Sequence, residues 1–401
     1  MKRQRILSAT LALLATMIAP VATAFAQKSN EVPGVTDRSI TIGQTMPYSG
    51  PASIVGTLGK AHSAYFKMIN DQGGVNGRKI DLISVDDGFN PARTLANVRE
   101  LVENDHIAFL FGSAGTPTNL ATVPYITAQR IPLLFPVSGT RAFYQPKQHP
   151  WIVGWFPIYH LDGLMNAQYV LMHVPGAKIG VLYENDDFGR ELLRGLRDGL
   201  GDKSGTIIAQ AVSYEVSDPT VDSQVIELQQ SGANVFYIGG SPKFSAQAIR
   251  SAAAVGWKPM RLLNYSASSI PGTLALAGLK ISIGIISHAF VKDPRDPQWQ
   301  GDPELKALYA WERKYLPEVN PDDGNAITAY AQAATLVQVL QQCGNDLTRQ
   351  NIVRQATNLH TLRLPLMLTP FTTKPTDYEG FKELKPVRFD GTRWALLPPA
   401  G

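Results

Sequence analysis

Short apolar runs rich in β-branched residues alternate along the chain with longer stretches in which apolar residues recur every three or four positions. The short runs predict strands and the longer stretches predict helices. Between residues 39 and 137 the pattern predicts strands at 39–47, 79–86, 107–112 and 132–137, separated by helices at 57–72, 91–104 and 118–129. Strand–helix–strand wiring of this kind implies a mostly parallel sheet covered by helices.

The same alternation of strands and helices begins again after a segment rich in proline and aromatic residues at 145–155. Strands are predicted at 178–183, 207–214, 234–239 and 261–265, and helices at 188–200, 220–231 and 242–255. The fold class is therefore α/β with two lobes. Because ligands of open α/β sheets bind beyond the carboxyl ends of the strands, the site is expected in the cleft between the lobes.

The last third of the chain is less regular. An apolar run at 281–290 precedes three helices, predicted at 304–315, 325–342 and 349–358, which have no strands of their own. We expect these helices to cover the first lobe and the tail, at 364–371 and 386–397, to finish the second. The expected limits are 27–150 with 285–360 for the first lobe, and 151–284 with 361–401 for the second.

The N-terminus has the pattern of a secretory signal peptide. Lys2, Arg3 and Arg5 precede an apolar run at 6–20 and a small-residue segment at 22–26. This pattern predicts a signal peptide at 1–26, cleaved after Ala26, and a periplasmic protein. A retained anchor is the alternative, although the apolar run is shorter than the about 20 residues that a membrane span needs.

Composition narrows the function classes. Without residues 1–26 the chain has 34 basic and 33 acidic residues, so it is nearly neutral and has no basic patch interleaved with aromatics. A nucleic-acid partner is therefore not expected. The length of 401 residues favours two domains. Cys343 is the only cysteine, which excludes an internal disulfide and a cysteine-based metal cluster.

Searches for catalytic spacing find no phosphate-binding loop, dinucleotide fingerprint, nucleophile elbow or H-E-x-x-H motif. The seven histidines never occur in pairs at metal-ligand spacing. No metal or cofactor is therefore expected, and binding rather than catalysis is the default function. The acidic pairs 86–87, 186–187 and 322–323 are interpreted as helix caps or solvated groups rather than acid/base dyads. The aromatics Trp151, Trp155, Phe156 and Tyr159 either stack on a ligand or fill a lobe interface.

Two consecutive turns have the chemistry of an anion site. The segment 111–119 connects a strand to a helix and offers small residues, hydroxyl groups and helix N-terminal N–H groups. The turn at 137–141, after the next strand, offers the same chemistry. One such turn is an ordinary helix cap, but two at the same sheet edge indicate a place for an anion such as a carboxylate.

Several segments, in their order along the chain, resemble a known family. They are 39–43, 47–51, 69–77, Asp86-Asp87, 115–119, 183–189 and 235–240. They are similar to the type I periplasmic solute-binding proteins of branched-chain amino acid (Leu/Ile/Val) ABC transporters. The resemblance implies two Rossmann-like lobes joined by three crossovers, a monomer that clamps a small molecule and catalyses no reaction, and a membrane ABC permease as partner. A ligand sensor on the same fold is the alternative.

The resemblance also implies roles for individual residues. The ligand carboxylate is expected at the first-lobe loop and at the following turn, and an aromatic residue of the second lobe, Phe188, is expected to cover the ligand. Ser241, after the strand at 234–239, completes the candidate set. The residues expected at the carboxylate are Ser113, Ala114, Gly115, Thr116, Ser138, Gly139 and Thr140.

The chain departs from the family pattern where amino-acid binders place an acidic residue opposite the ligand's α-ammonium group. That position falls at Ser266, and a neutral hydroxyl cannot compensate a buried ammonium, which costs several kcal/mol when unpaired. We therefore expect a carboxylate without an α-amine, such as an aromatic or hydroxylated aromatic acid, with walls at Tyr48, Trp155, Phe188 and Tyr265. The alternative is a branched-chain or other amino acid whose amine meets another carboxylate, such as Glu184.

Overall fold

The computed structural model describes residues 32–321, 323–360 and 362–398. The predicted signal peptide, its cleavage after Ala26 and Asp322 lie outside the described residues. Within the described ranges, no helix combines the length and the apolar character needed to cross a membrane.

Five parallel strands form the first sheet, in the order β2-β1-β3-β4-β5. Its middle strands are buried on both faces, as expected for a sheet with helices on both sides. The strands are β1 Ser39–Met46, β2 Lys79–Asp86, β3 Leu110–Phe111, β4 Leu133–Leu134 and β5 Ile152–Val153.

Seven strands form the second sheet, in the order β12-β11-β10-β9-β8-β6-β7. β6 to β10 pair in parallel, whereas β11 runs antiparallel to both of its neighbours because the C-terminal tail returns to the edge of the sheet. The strands are β6 Ile179–Glu184, β7 Ile208–Tyr214, β8 Val235–Gly239, β9 Met260–Leu263, β10 Ile286–Ala289, β11 Lys385–Phe389 and β12 Trp394–Leu396.

The helices of eight or more residues are α1 Gly56–Asp71, α2 Pro91–Glu103, α3 Thr116–Ala128, α4 Tyr159–His173, α5 Asp187–Leu200, α6 Asp222–Gln230, α7 Pro242–Ala254, α8 Pro303–Tyr315, α9 Gly324–Cys343 and α10 Arg349–Ala356. The two-lobed α/β fold is confirmed, and the predicted helices begin and end within two residues of these bounds. Sequence patterning missed α4. Its buried positions recur at helical spacing, but Asp162, Gly163 and Asn166 occupy three of them, so no apolar stripe marks the helix.

Glycines bring α4 and α5 into close contact. A Cβ atom at Gly163 would lie 2.3 Å from the Leu192 carbonyl oxygen, and one at Gly195 would lie 2.1 Å from the His160 carbonyl oxygen. Any larger residue at these positions would push the helices apart. This contact matters for the site because α4 begins at Tyr159 and the first turn of α5 carries Phe188.

The three C-terminal helices do not form a layer of their own. α9 packs along α1, where His62 Nε2 lies 2.7 Å from Gln332 Oε1 and the Tyr65 and Tyr330 rings meet edge to face at 4.7 Å. From α8, Trp311 Nε1 donates to the Ala64 carbonyl at 3.4 Å. These helices therefore pack over the first sheet.

The chain passes between the sheets three times. β5 still belongs to the first sheet and β10 to the second, so the first two passages follow Val153 and Ala289. The rings of Phe371 and Trp155 stack at 5.9 Å, which places that part of the tail with the first sheet before β11 returns to the second. The first two passages therefore lie a few residues after the expected lobe limits at 150 and 284. The third passage follows Phe371, further beyond the expected limit at 360.

Candidate ligand-binding cleft

One cleft of about 180 Å³ lies between the two sheets. Both lobes contribute to its wall, which is mainly apolar and aromatic with a few polar groups. The sequence-predicted residues that line it are Gly115, Thr116, Phe188, Ser241, Tyr265 and Ser266. Residues outside the predicted set also line it, among them Phe89, Phe156, Tyr159, Glu184, Asp186, His288, Phe290, Asn325 and Thr328.

A cluster of hydroxyl groups lies at the start of α3. Gly115 caps this helix with φ of 100°, a conformation that favours glycine, and Thr116 is its first residue. Thr116 Oγ1 and Ser138 Oγ are 2.8 Å apart, and both hydroxyls lie close enough to the Tyr159 hydroxyl to oppose the burial that raises its pKa. The first N–H groups of a helix have no partner within it, so this hydroxyl cluster and the positive end of the α3 dipole can together hold a carboxylate.

Aromatic rings form the adjacent wall. The Tyr159 ring meets Phe188 edge to face at 4.7 Å and stacks with Tyr265 at 6.0 Å. Tyr265 is fixed by its hydroxyl, which donates to the Pro157 carbonyl at 2.6 Å. From the first lobe Phe89, with a left-handed φ of 59°, packs beside Gly115. Rings from both lobes can therefore contact a planar ligand.

The predicted turn at Ser138–Thr140 is only partly available to a ligand. Thr140 Oγ1 donates to Glu191 Oε1 at 2.8 Å, and the Arg141 N–H donates to Glu191 Oε2 at 2.9 Å. Glu191 belongs to α5, so a carboxylate of the second lobe already occupies these first-lobe donors. Ser138 remains directed to Thr116, which leaves the hydroxyl cluster as the carboxylate position that the geometry favours.

Other predicted residues support the cleft without lining it. Ser113 Oγ accepts from the Thr45 N–H at 3.1 Å, and Ala114 pairs with Val137 in an isolated bridge. A Cβ atom at Gly139 would lie 2.3 Å from the Pro157 carbonyl oxygen, so only glycine allows this turn to approach the first passage between the sheets.

The structure places two predicted wall residues away from the cleft. The Tyr48 hydroxyl bonds with Ser84 Oγ at 2.6 Å, and the ring is half-buried beside α1. Trp155 is fully buried among Phe371 and Phe381, and its Nε1 donates to Thr335 at 2.9 Å. Of the aromatics Trp151, Trp155, Phe156 and Tyr159, the last two line the cleft.

Of the acidic residues that line the cleft, Glu184 and Asp186 lie at the end of β6 and at the cap of α5. Glu184, at the end of β6, accepts from the Tyr214 hydroxyl at 2.6 Å, and its burial raises its pKa. Asp186 caps α5 by accepting from the Gly189 N–H at 3.0 Å, which confirms its predicted capping role. Burial, then the neighbouring Glu184 charge, raise the pKa of Asp186 to about 7. Asp186 Oδ2 is buried and has no hydrogen-bond partner among the described residues.

Ser266 lies in the cleft wall, as expected, and its hydroxyl donates to Asn264 Oδ1 at 2.5 Å. Asn264 in turn donates to the backbone carbonyls of Ile238 and Gly240, so the loop after β9 is held by neutral groups. Within the described ranges, no group of three or more histidine, cysteine or acidic side chains could hold a metal ion.

A sequence profile of the family described as "Periplasmic binding protein" matches residues 39–390. The chain belongs to this family. Its members are substrate-binding proteins rather than enzymes, and the family name indicates the periplasm.

Curated and solved relatives agree with the fold. A Leu/Ile/Val-binding protein homolog 1 of Brucella abortus (strain 2308) is 25% identical over 319 residues, which cover 77% of this chain and 79% of the relative. A branched-chain amino acid ABC transporter structure from Thermus thermophilus with bound valine has a TM-score of 0.80 at 19% identity, covering 91% of this chain and 96% of the other. A solute-binding protein from R. palustris in complex with 4-hydroxybenzoate has a TM-score of 0.76 at 16% identity, covering 89% and 95%.

Proposed function

We propose that this protein is the extracytoplasmic substrate-binding component of an ABC uptake transporter, and that it clamps an aromatic acid without an α-amine between its lobes. The observation that carries the proposal is the combination of a hydroxyl cluster at Thr116, Ser138 and Tyr159 with Ser266 in place of an acid in the loop after β9. The cluster offers a carboxylate partner, and the loop offers none for an ammonium group. The lobes are expected to close on the ligand and then dock on a membrane permease.

The size of the cleft supports a ligand with one ring. A cavity of about 180 Å³ is slightly larger than the roughly 150 Å³ apolar cavity that admits a benzene molecule. Phe89, Phe188 and Tyr265 supply ring faces and edges from both lobes. The 4-hydroxybenzoate complex of the R. palustris relative shows that this fold can hold a small aromatic acid.

Glu184 and Asp186 favour a second candidate, an amino acid. Both carboxyl groups face the cleft, and Asp186 Oδ2 is unpartnered among the described residues, so an ammonium group could bind there. Against this candidate, burial raises the pKa of both groups, which disfavours the charged forms that an ammonium group needs. The Thermus thermophilus relative with valine shows that the fold also accommodates amino acids.

Pairs of ligands that differ only in the α-amine separate the two candidates. The purified protein is unfolded and refolded to remove carried ligand, and thermal shifts are recorded with phenylalanine against 3-phenylpropanoate and with leucine against 4-methylpentanoate. We expect stabilisation by the deaminated acids, of about 2.7 kcal/mol at a hundredfold excess over the dissociation constant. Stabilisation by the amino acids alone would refute the proposal and support the second candidate.

A substitution at Ser266, the position at which an acidic residue is missing, tests the same reasoning. Ser266→Glu introduces a carboxylate where amino-acid binders of the family are expected to have one. We expect it to weaken binding of the deaminated acids by charge repulsion and to improve binding of the matched amino acids. Ser268→Glu, two residues further along the same cleft wall, is the matched control for a charge placed nearby.

A further inference from the structure

A histidine lies in the cleft wall at a place that the family resemblance did not assign. His288 is in β10, is only 2% exposed and lines the cleft. It lies two residues before Phe290, whose ring meets Tyr265 edge to face at 5.6 Å. His288 is therefore beside the aromatic wall and close to the second passage between the sheets.

Buried polar groups lie behind the His288 ring. His288 Nδ1 lies 3.3 Å from Asp162 Oδ1, and the Asp162 side chain is fully buried in the first turn of α4. Asp162 Oδ2 accepts from the Tyr237 hydroxyl at 3.1 Å. Nδ1 and Asp162 Oδ1 are within ion-pair distance, although neither atom makes a hydrogen bond among the described residues.

The second ring nitrogen of His288, Nε2, lies on the edge of the ring opposite Asp162. Nδ1 is itself shielded from solvent on the Asp162 side, so the opposite edge of the ring, with Nε2, is the polar edge that remains for the cleft. A buried carboxylate such as Asp162 requires partners, and the Tyr237 hydroxyl donates to Oδ2 while the His288 ring lies beside Oδ1. The resulting Tyr237–Asp162–His288 row has one end in the second-lobe core and the other at the cleft wall.

We propose that His288 Nε2 binds a hydroxyl group that the ligand carries on its ring, in addition to the carboxylate. This inference rests on the proposed function and specifies the substrate class as hydroxylated aromatic acids. A hydroxyl group is both a donor and an acceptor, so it matches a neutral imidazole, whose Nε2 accepts, and an imidazolium, whose Nε2 donates. A ring without a polar substituent would leave the buried Nε2 unpartnered on closure, which opposes binding.

The test compares ring acids with and without the hydroxyl group. Isothermal titration calorimetry on the refolded protein measures benzoate against 3- and 4-hydroxybenzoate, and 3-phenylpropanoate against its 3- and 4-hydroxyphenyl analogues. We expect at least one hydroxylated acid to bind roughly three- to tenfold more tightly than its parent, the effect of one net hydrogen bond.

Two substitutions of His288 test whether Nε2 causes the preference for hydroxylated acids. His288→Asn retains an amide near Asp162 but removes the cleft edge of the ring, so we expect the preference for the hydroxyl to disappear while the parent acids still bind. His288→Gln extends an amide toward the cleft and is expected to retain part of the preference. His160→Asn is the matched control, because His160 lies at the start of α4 but pairs with Asp198, at 2.7 Å.

The outcomes separate this inference from the proposed function. If the wild-type protein binds the parent acids as tightly as their hydroxylated analogues, or if His288→Asn keeps the preference, the hydroxyl subsite is wrong and the proposed function stands. If no deaminated ring acid of either series binds, the proposed function fails and this inference fails with it. The wild-type comparison is decisive even if a variant does not fold.

Discussion

Asp186 lies where the ligand cleft meets the cap of α5, and its ionisation should govern stability near neutral pH. Its Oδ1 accepts from the Gly189 N–H at 3.0 Å, whereas Oδ2 is buried without a partner among the described residues. Burial is the main cause that raises its pKa from 3.8 to about 7, with the Glu184 charge second. The substitution Asp186→Asn removes the titration and keeps the cap, because asparagine is as good an N-cap as aspartate.

The direction of the pH dependence follows from the protons that the folded and unfolded states bind. Between pH 4 and pH 7 the folded protein holds a proton on Asp186 that the unfolded chain has released, so the free energy of unfolding falls as the pH rises. A pKa change from 3.8 to about 7 corresponds to on the order of 4 kcal/mol at 1.36 kcal/mol per unit. The contribution is complete below pH 4 and lost by pH 7.

Urea denaturation of the ligand-free protein at several values between pH 4 and pH 7.5 measures this contribution. The free energy of unfolding of the wild-type protein, relative to Asp186→Asn, should fall by on the order of 4 kcal/mol across this range. Asp187→Asn, at the exposed neighbouring position, removes only a smaller cause of the same pKa shift and should retain most of the wild-type pH dependence. Parallel profiles for the wild type and Asp186→Asn would refute the argument that burial and Glu184 keep this carboxyl group protonated.

Three further predictions concern other buried groups. Burial lowers the pKa of His62 to about 3, so below pH 6.5 only the unfolded chain gains this proton. Relative to His62→Gln, the free energy of unfolding of the wild-type protein should therefore fall by about 1.4 kcal/mol per pH unit toward pH 4 in urea denaturation. Trp155→Phe should lower the free energy of unfolding by about 1–3 kcal/mol by removing the Nε1 bond to Thr335, while calorimetry should find the ligand dissociation constant unchanged, because the ring does not line the cleft. Glu191→Gln should weaken the inter-lobe bonds to the turn at Thr140 and lower the same free energy by about 1–3 kcal/mol, and an unchanged urea midpoint would contradict this.

Patterning alone could predict most of the fold, because both lobes follow the rule that buried parallel strands are apolar and their crossover helices amphipathic. It failed at α4, where the buried face is made of small and polar residues such as Gly163 and Asp162. The interior role of Asp162 depends on Tyr237 and His288, which lie 75 and 126 positions further along the chain. Because these three residues are far apart along the chain, no local sequence pattern predicts that they are in contact.

Some features of the site could likewise be predicted from the sequence, whereas others depend on how distant elements pack. Residue types along the chain are enough to identify the family, the strand-to-helix turn at Gly115 and Thr116, and the neutral Ser266, because each depends only on which residue occupies a position that the family pattern locates. Only the tertiary structure decided that Trp155 belongs to the core, that Glu191 occupies the donors at Thr140, and that His288 reaches the cleft wall. The physical reason is that residue type states which contacts a side chain can make, whereas the packing of distant elements decides which partner is within reach.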